Sequence, residues 1–183
     1  VGLVEQLLGL LVVGLWVNLV DDVAHFGRRD SLAICIELVE QLFQVSSVQA
    51  VAVINTKLPE LGELVLGRTI LQFQRAYRRR DKAQAVATAG FLGQLFNQGM
   101  THELLCLQLL TVLLDGDPTD DSVEVAVSYM RVVGKALLEV SPAGVRAVME
   151  RFRGLLHDGS IGRRVQYQVE VLMKDRQRHF EDY

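Results

Sequence analysis

One periodicity limits this chain more than any other feature: apolar residues recur every three to four positions, and each run stops after a short distance. Val145, Val148, Met149, Phe152, Leu155 and Leu156 fall at i, i+3, i+4, i+7, i+10 and i+11, which is one face of an α-helix. Ser141 and Pro142 precede them, an N-cap residue followed by a proline in the first turn, where a missing N–H costs no helical hydrogen bond. Leu105, Leu109, Val112 and Leu113 form a second face, entered through Thr101 and preceded by Gly99, a terminator of the helix before it. Pro59 and Glu60 open another helix that runs past Leu64, Ile70 and Phe73.

Two segments, "SVEVAV" from Ser122 and "VQYQVEV" from Val165, alternate with period two, as half-buried strands do. They are the best case for an α/β fold. Yet Val123, Val127, Met130, Val133 and Leu137 keep a continuous helical face, and Val165, Val169 and Leu172 do the same. Few turn dipeptides lie between the apolar runs and only three prolines occur, so both segments are read as helices. Ten helices result, near 1-16, 17-26, 30-45, 47-56, 60-79, 82-98, 101-115, 119-139, 142-157 and 160-175. Paired, they make five units of roughly 35 to 40 residues, the period of helical-hairpin solenoids.

The 183 residues suffice for a single domain with a real core, and half of them are hydrophobic. A mean hydropathy of +0.23 is high for a soluble domain; helices covered on several sides, or a partner surface, would account for it. The net charge of −3 does not mark the whole chain as nucleic-acid binding. Cys35 and Cys106 lie far apart in apolar surroundings and read as buried free thiols of a reducing compartment. The uncharged run Leu7 to Val17 is too short to span a membrane, which takes about 20 apolar residues. It also lacks the basic start and cleavage site of a signal peptide, so it reads as a core helix. No methionine opens the chain, and a piece of a longer protein is expected.

Asp115-Gly116-Asp117-Pro118-Thr119 matches the D-x-D-x-T signature of phosphatases that form an aspartyl phosphate beside Mg²⁺. That chemistry needs Asp115 at the end of a parallel strand, with backbone amides around the phosphoryl group and another carboxylate on the metal. The approach to Asp115 is better as a helix. In the competing reading the segment is a turn between helices, Thr119 caps the second, and Asp120, Asp121 and Glu124 favour its positive N-terminal dipole. His25, His102, His157 and His179 are dispersed without metal-ligand spacing, and no phosphate-binding glycine loop follows a strand. No cofactor or metal is expected. The basic run Arg75-Ala76-Tyr77-Arg78-Arg79-Arg80-Asp81-Lys82 reads either as a solvated helix end complementing the C-terminal dipole or as a docking edge for carboxylates or phosphates.

Residues from about Ala50 to Tyr183 resemble a known family. "AVAVINTKLPELGELVLGRTILQFQRAYRRRDK", "THELLCLQLLTVLL", "PTDDSVEVA" and "VSPAGVRAVMERFRGLLHDGSIGRRVQYQVEVLM" are similar, in that order, to the middle domain of the nucampholin family of pre-mRNA splicing factors. That domain shares its fold with the middle domain of initiation factor 4G. The resemblance implies an all-α fold, a right-handed solenoid of about five HEAT-like antiparallel helical hairpins over residues 1-183, with residues 1-49 as divergent first repeats. It implies no catalysis. It implies a nuclear scaffold that binds the DEAD-box helicase of the exon junction complex, holds the two RecA-like lobes apart and delivers the enzyme to the spliceosome. Other spliceosomal proteins are implied as further partners, with RNA contact only indirect and no membrane. Gly14 and Leu15 align with the start of the family's Gly-Leu-Ile-Asn-Lys helicase contact, while its Asn-Lys pair does not align. The family's Tyr-Arg-Arg-Asn-Asp-Lys appears as Tyr77-Arg78-Arg79-Arg80-Asp81-Lys82, with arginine at Arg80.

Solenoid geometry places successive loops on alternating edges. Loops 16-18, 44-48, 79-82, 115-119 and 157-161 share one edge, and 26-30, 56-60, 98-101 and 139-142 the other. The first edge therefore collects Asn18, Arg79, Arg80, Asp81, Lys82, Asp115 and Asp117; with Gly14 and Arg78, which the resemblance implies, they are the candidate partner-binding residues. Alternatives are a helicase adaptor of translation, mRNA decay or ribosome assembly, an aspartate-dependent phosphatase, and direct RNA binding through the arginine run.

Overall fold

In the computed structural model, residues 59–181 are described, and the first fifty residues, with Gly14, Asn18 and Cys35, lie outside them. The chain divides into two compact units, one ending at Gly67 and the other running from Arg68. Every regular element among the described residues is a helix: α1 (Pro59–Arg79), α2 (Lys82–Asn97), α3 (Glu103–Leu114), α4 (Asp120–Val140), α5 (Pro142–Asp158) and α6 (Arg163–Gln177).

Both period-two segments are helical. "SVEVAV" lies in α4, the central helix, which packs on α2, α3, α5 and α6. Ser122 through Val127 are all buried there, because a helix covered on several sides needs no polar stripe. "VQYQVEV" lies in α6, where Val165, Val169 and Leu172 face inward while Tyr167 and Glu170 are exposed. In α5 the inward face is Val145, Val148, Met149, Phe152 and Leu155; Leu156 is half-buried at its border.

The helix ends refine the sequence reading. Thr119 caps α4 by accepting the Ser122 N–H at 3.3 Å. Helix α3 starts at Glu103 rather than at Thr101: His102 is its cap, with Nδ1 accepting the Leu104 N–H. Ser141 makes no side-chain cap hydrogen bond, and Pro142 alone sets the start of α5. Gly99 does end the turn after α2, at φ +72°.

Helices also pack two apart in sequence: α2 on α4, α4 on α6, and α3 on α5. Glycine lets two of these contacts close. A Cβ on Gly93 in α2 would lie 2.9 Å from Val132 and Val133 of α4, and one on Gly134 would lie 2.8 Å from the ring of Phe180. Phe180, after α6, is fully buried in a left-handed conformation, its N–H bonded to the Asp175 carbonyl. Beside it the half-buried Arg131 and the buried Asp175 pair at 3.4 Å. The Cys106 thiol is free and buried, hydrogen-bonded to the Tyr129 hydroxyl; burial pushes it up to about 11 and drives the Tyr129 hydroxyl upward as well. No described helix is long and apolar enough to cross a membrane.

A candidate partner-binding edge

The N-terminal ends of α2, α4 and α6 meet, and the first turn of α4 joins them. Glu124 is the hub. Its carboxylate, 9 % exposed, takes an ion pair from Lys82 at the start of α2 and another from Arg164 in the first turn of α6. Lys82 also reaches Asp121 at 3.0 Å. Opposite charge raises the Lys82 pKa, with the hydrogen bond to Glu124 the largest cause. Asp120 accepts the N–H of Gly162, the cap residue of α6, at 2.9 Å. A carboxylate serves here both the positive end of its own helix and that of a neighbour. Arg151 of α5 donates from Nε to the Leu114 carbonyl at 3.0 Å and from its terminal nitrogen to the Gly116 carbonyl at 3.3 Å. Those carbonyls close α3, where helix geometry leaves acceptors unpartnered.

The loops at 79-82, 115-119 and 157-161 are thus held together by the first turn of α4 and by Arg151. The joining contacts have a common spacing. Tyr77 to the Val112 carbonyl spans 35 residues, Arg151 to Leu114 37, Arg164 to Glu124 40 and Gly162 to Asp120 42.

The predicted site residues separate into two groups. Arg78, Arg79 and Arg80 are exposed, as are Asp115 and Asp117. Arg78 and Arg79 end α1, where cations complement the dipole. Arg80 holds φ +57° in a one-residue turn, its N–H bonded to the Tyr77 carbonyl. That left-handed conformation suits asparagine, the residue implied there by the family resemblance, better than arginine. Asp81 and Lys82 serve the fold: Asp81 accepts the Gln84 N–H at 3.1 Å as the cap of α2, and Lys82 is engaged with Glu124 and Asp121. The sequence places Glu124 only in the dipole of its own helix and gives Arg151 and Arg164 no role. Their partners lie 35 to 42 residues away, and the one available signal is that this distance is close to the repeat period.

Asp115 caps the C-terminus of α3 with extended backbone, at the end of a helix rather than of the strand an aspartyl nucleophile requires. No group of three His, Cys, Asp or Glu side chains among the described residues could hold a metal ion.

No family model matches the chain. Over 133 residues, 73 % of its length, it is 50 % identical to the pre-mRNA-splicing factor CWC22 homolog of Danio rerio. The homolog of Homo sapiens is 47 % identical over the same number of residues, and cwc22 of Aspergillus fumigatus 47 % over 131. These matches bear out the resemblance to the nucampholin family. The matched stretch is 13 to 15 % of the length of these relatives.

Proposed function

We propose, from the 133 residues that the chain shares with the CWC22 pre-mRNA-splicing factors, that it is a scaffold domain of the spliceosome. It works in the nucleus, as a HEAT-like middle domain of the initiation-factor-4G type. Identity of 44 to 50 % across animal relatives carries this reading. Packing between helices two apart, with joining contacts every 35 to 42 residues, supports the hairpin solenoid.

The domain binds the DEAD-box helicase of the exon junction complex, holds its RecA-like lobes in an inactive arrangement and brings it to the pre-mRNA. Arg78, Arg79 and Arg80 meet acidic groups of the helicase, and Asp115 and Asp117 meet basic ones. Gly14 and Asn18 supply further contacts to the helicase. Asp81 and Lys82 position it from beneath. Electrostatic matching of this kind sets encounter rate and specificity.

A pull-down of the purified helicase on the whole chain tests the proposal. Arg78→Glu/Arg79→Glu is the control, because both side chains are exposed and outside the Glu124 network. Capture by the wild type, lost in the double variant, is expected; equal capture by both refutes the edge, and capture by neither refutes the partner.

A further inference from the structure

The C-terminal part of the chain carries a charge excess, of which the edge uses only Arg151 and Arg164. Between Ser141 and Glu181 eight Lys and Arg face five Asp and Glu, in a chain of net charge −3. Within this region a groove of about 260 Å³ opens between α5 and α6, lined by Arg153, Leu156, Met173, Arg176 and Gln177. Each helix supplies one arginine and one apolar residue. The volume lies below the range of small-molecule sites, which begins near 300 Å³, and suits one or two side chains of a protein segment.

Arg176 forms no ion pair with a described residue, and the pair between Arg153 and Glu150 is exposed on both sides, at 50 % and 62 %. Such a pair is weak, and an incoming carboxylate can replace it at little cost. Leu156 and Met173 give a floor that a phosphate backbone would not use, and an unbranched thioether adapts to the shape of an apolar visitor. No aromatic ring lines the groove, whereas single-stranded RNA is commonly held by stacking.

We infer that this groove binds an acidic segment of a partner protein that carries one leucine-sized side chain between carboxylates. The carboxylates pair with Arg153 and Arg176, the amide of Gln177 supplies a further donor, and the apolar side chain covers Leu156 and Met173. The site is independent of the edge built around Arg78 to Lys82.

The probe is a labelled peptide of about ten aspartates and glutamates with one central leucine, titrated with the whole chain at about 0.1 M salt and read by fluorescence anisotropy. Arg153→Glu/Arg176→Glu should weaken binding at least about tenfold, the size expected for reversing charges at a matched interface. Both arginines sit outside the core, and an unchanged far-ultraviolet spectrum identifies a folded variant. Met173→Ser, or serine for leucine in the peptide, should each weaken binding several-fold, and Arg78→Glu/Arg79→Glu should not. Binding that ignores the charge reversal, or is indifferent to the leucine, overturns the inference. So does a uridine oligonucleotide that displaces the peptide at equal concentration, since that would make the groove a phosphate site.

Discussion

Replacing Glu124 with glutamine keeps the side-chain volume and removes the charge on which Lys82 and Arg164 converge. Breaking a fully buried ion pair by removing one partner costs about 3 to 5 kcal/mol, because a charge is left without compensation. An exposed pair is worth about 0 to 1 kcal/mol. The network lies between these limits: Glu124 is buried, whereas Lys82 is 32 % exposed and Arg164 73 %, so both cations regain part of their hydration. We therefore expect a loss of about 2 kcal/mol, a fall in the thermal midpoint of about 4 to 8 °C for a chain of this size. Urea denaturation followed by circular dichroism measures it. Adding Lys82→Met to Glu124→Gln should cost less than the two single losses together, by about 1 kcal/mol, because the pair is lost once. A shift below about 0.5 kcal/mol, the range of an ordinary surface substitution, would refute the hub.

Phe180→Ala should destabilise by about 3 to 5 kcal/mol, since a fully buried ring is lost against a glycine that cannot fill the space; thermal melts check it, and a change under about 1 kcal/mol would contradict the packing at Gly134. Arg80→Gly should stabilise by about 0.5 to 1 kcal/mol, because the φ of +57° strains a side-chain-bearing residue; equal or lower stability would mean that the arginine makes a compensating contact. The unfolded thiol of Cys106 ionises from about pH 9 and the folded one only near 11, so between those values the unfolded state binds fewer protons and stability falls as pH rises, by up to about 2 to 3 kcal/mol. Cys106→Ala should make that decline shallower in denaturant midpoints from pH 8 to 11, the remainder coming from Tyr129 above its ordinary 10 and Lys82 above its ordinary 10.5; an unchanged slope would contradict the burial.

Helices were legible because their signals are local. The expected spans 82-98, 119-139 and 142-157 are found as Lys82–Asn97, Asp120–Val140 and Pro142–Asp158, fixed by Thr119, Pro142 and apolar spacing. The start of α3 differs from the expected Thr101 because His102, a rare cap, takes the position that a threonine usually holds. The alternation in "SVEVAV" resembles a strand because Ser122 and Glu124 are polar by type yet buried, the one bonded to the Thr119 carbonyl and the other paired. Loops 79-82, 115-119 and 157-161 could be grouped from the repeat alone, but the contacts that group them could not. A carboxylate at Asp120 looks the same in sequence whether it serves its own helix or the N–H of Gly162. Nor does composition distinguish the exposed Arg78 and Arg79 from Lys82, three residues on, which Glu124 engages.

The most direct test of the proposed function is the ATPase rate of the exon junction helicase on RNA, measured with increasing amounts of the whole chain. The account predicts saturable suppression that ends at one chain per helicase and disappears with Arg78→Glu/Arg79→Glu. A rate unchanged at saturating chain would contradict the claim that this domain restrains the helicase.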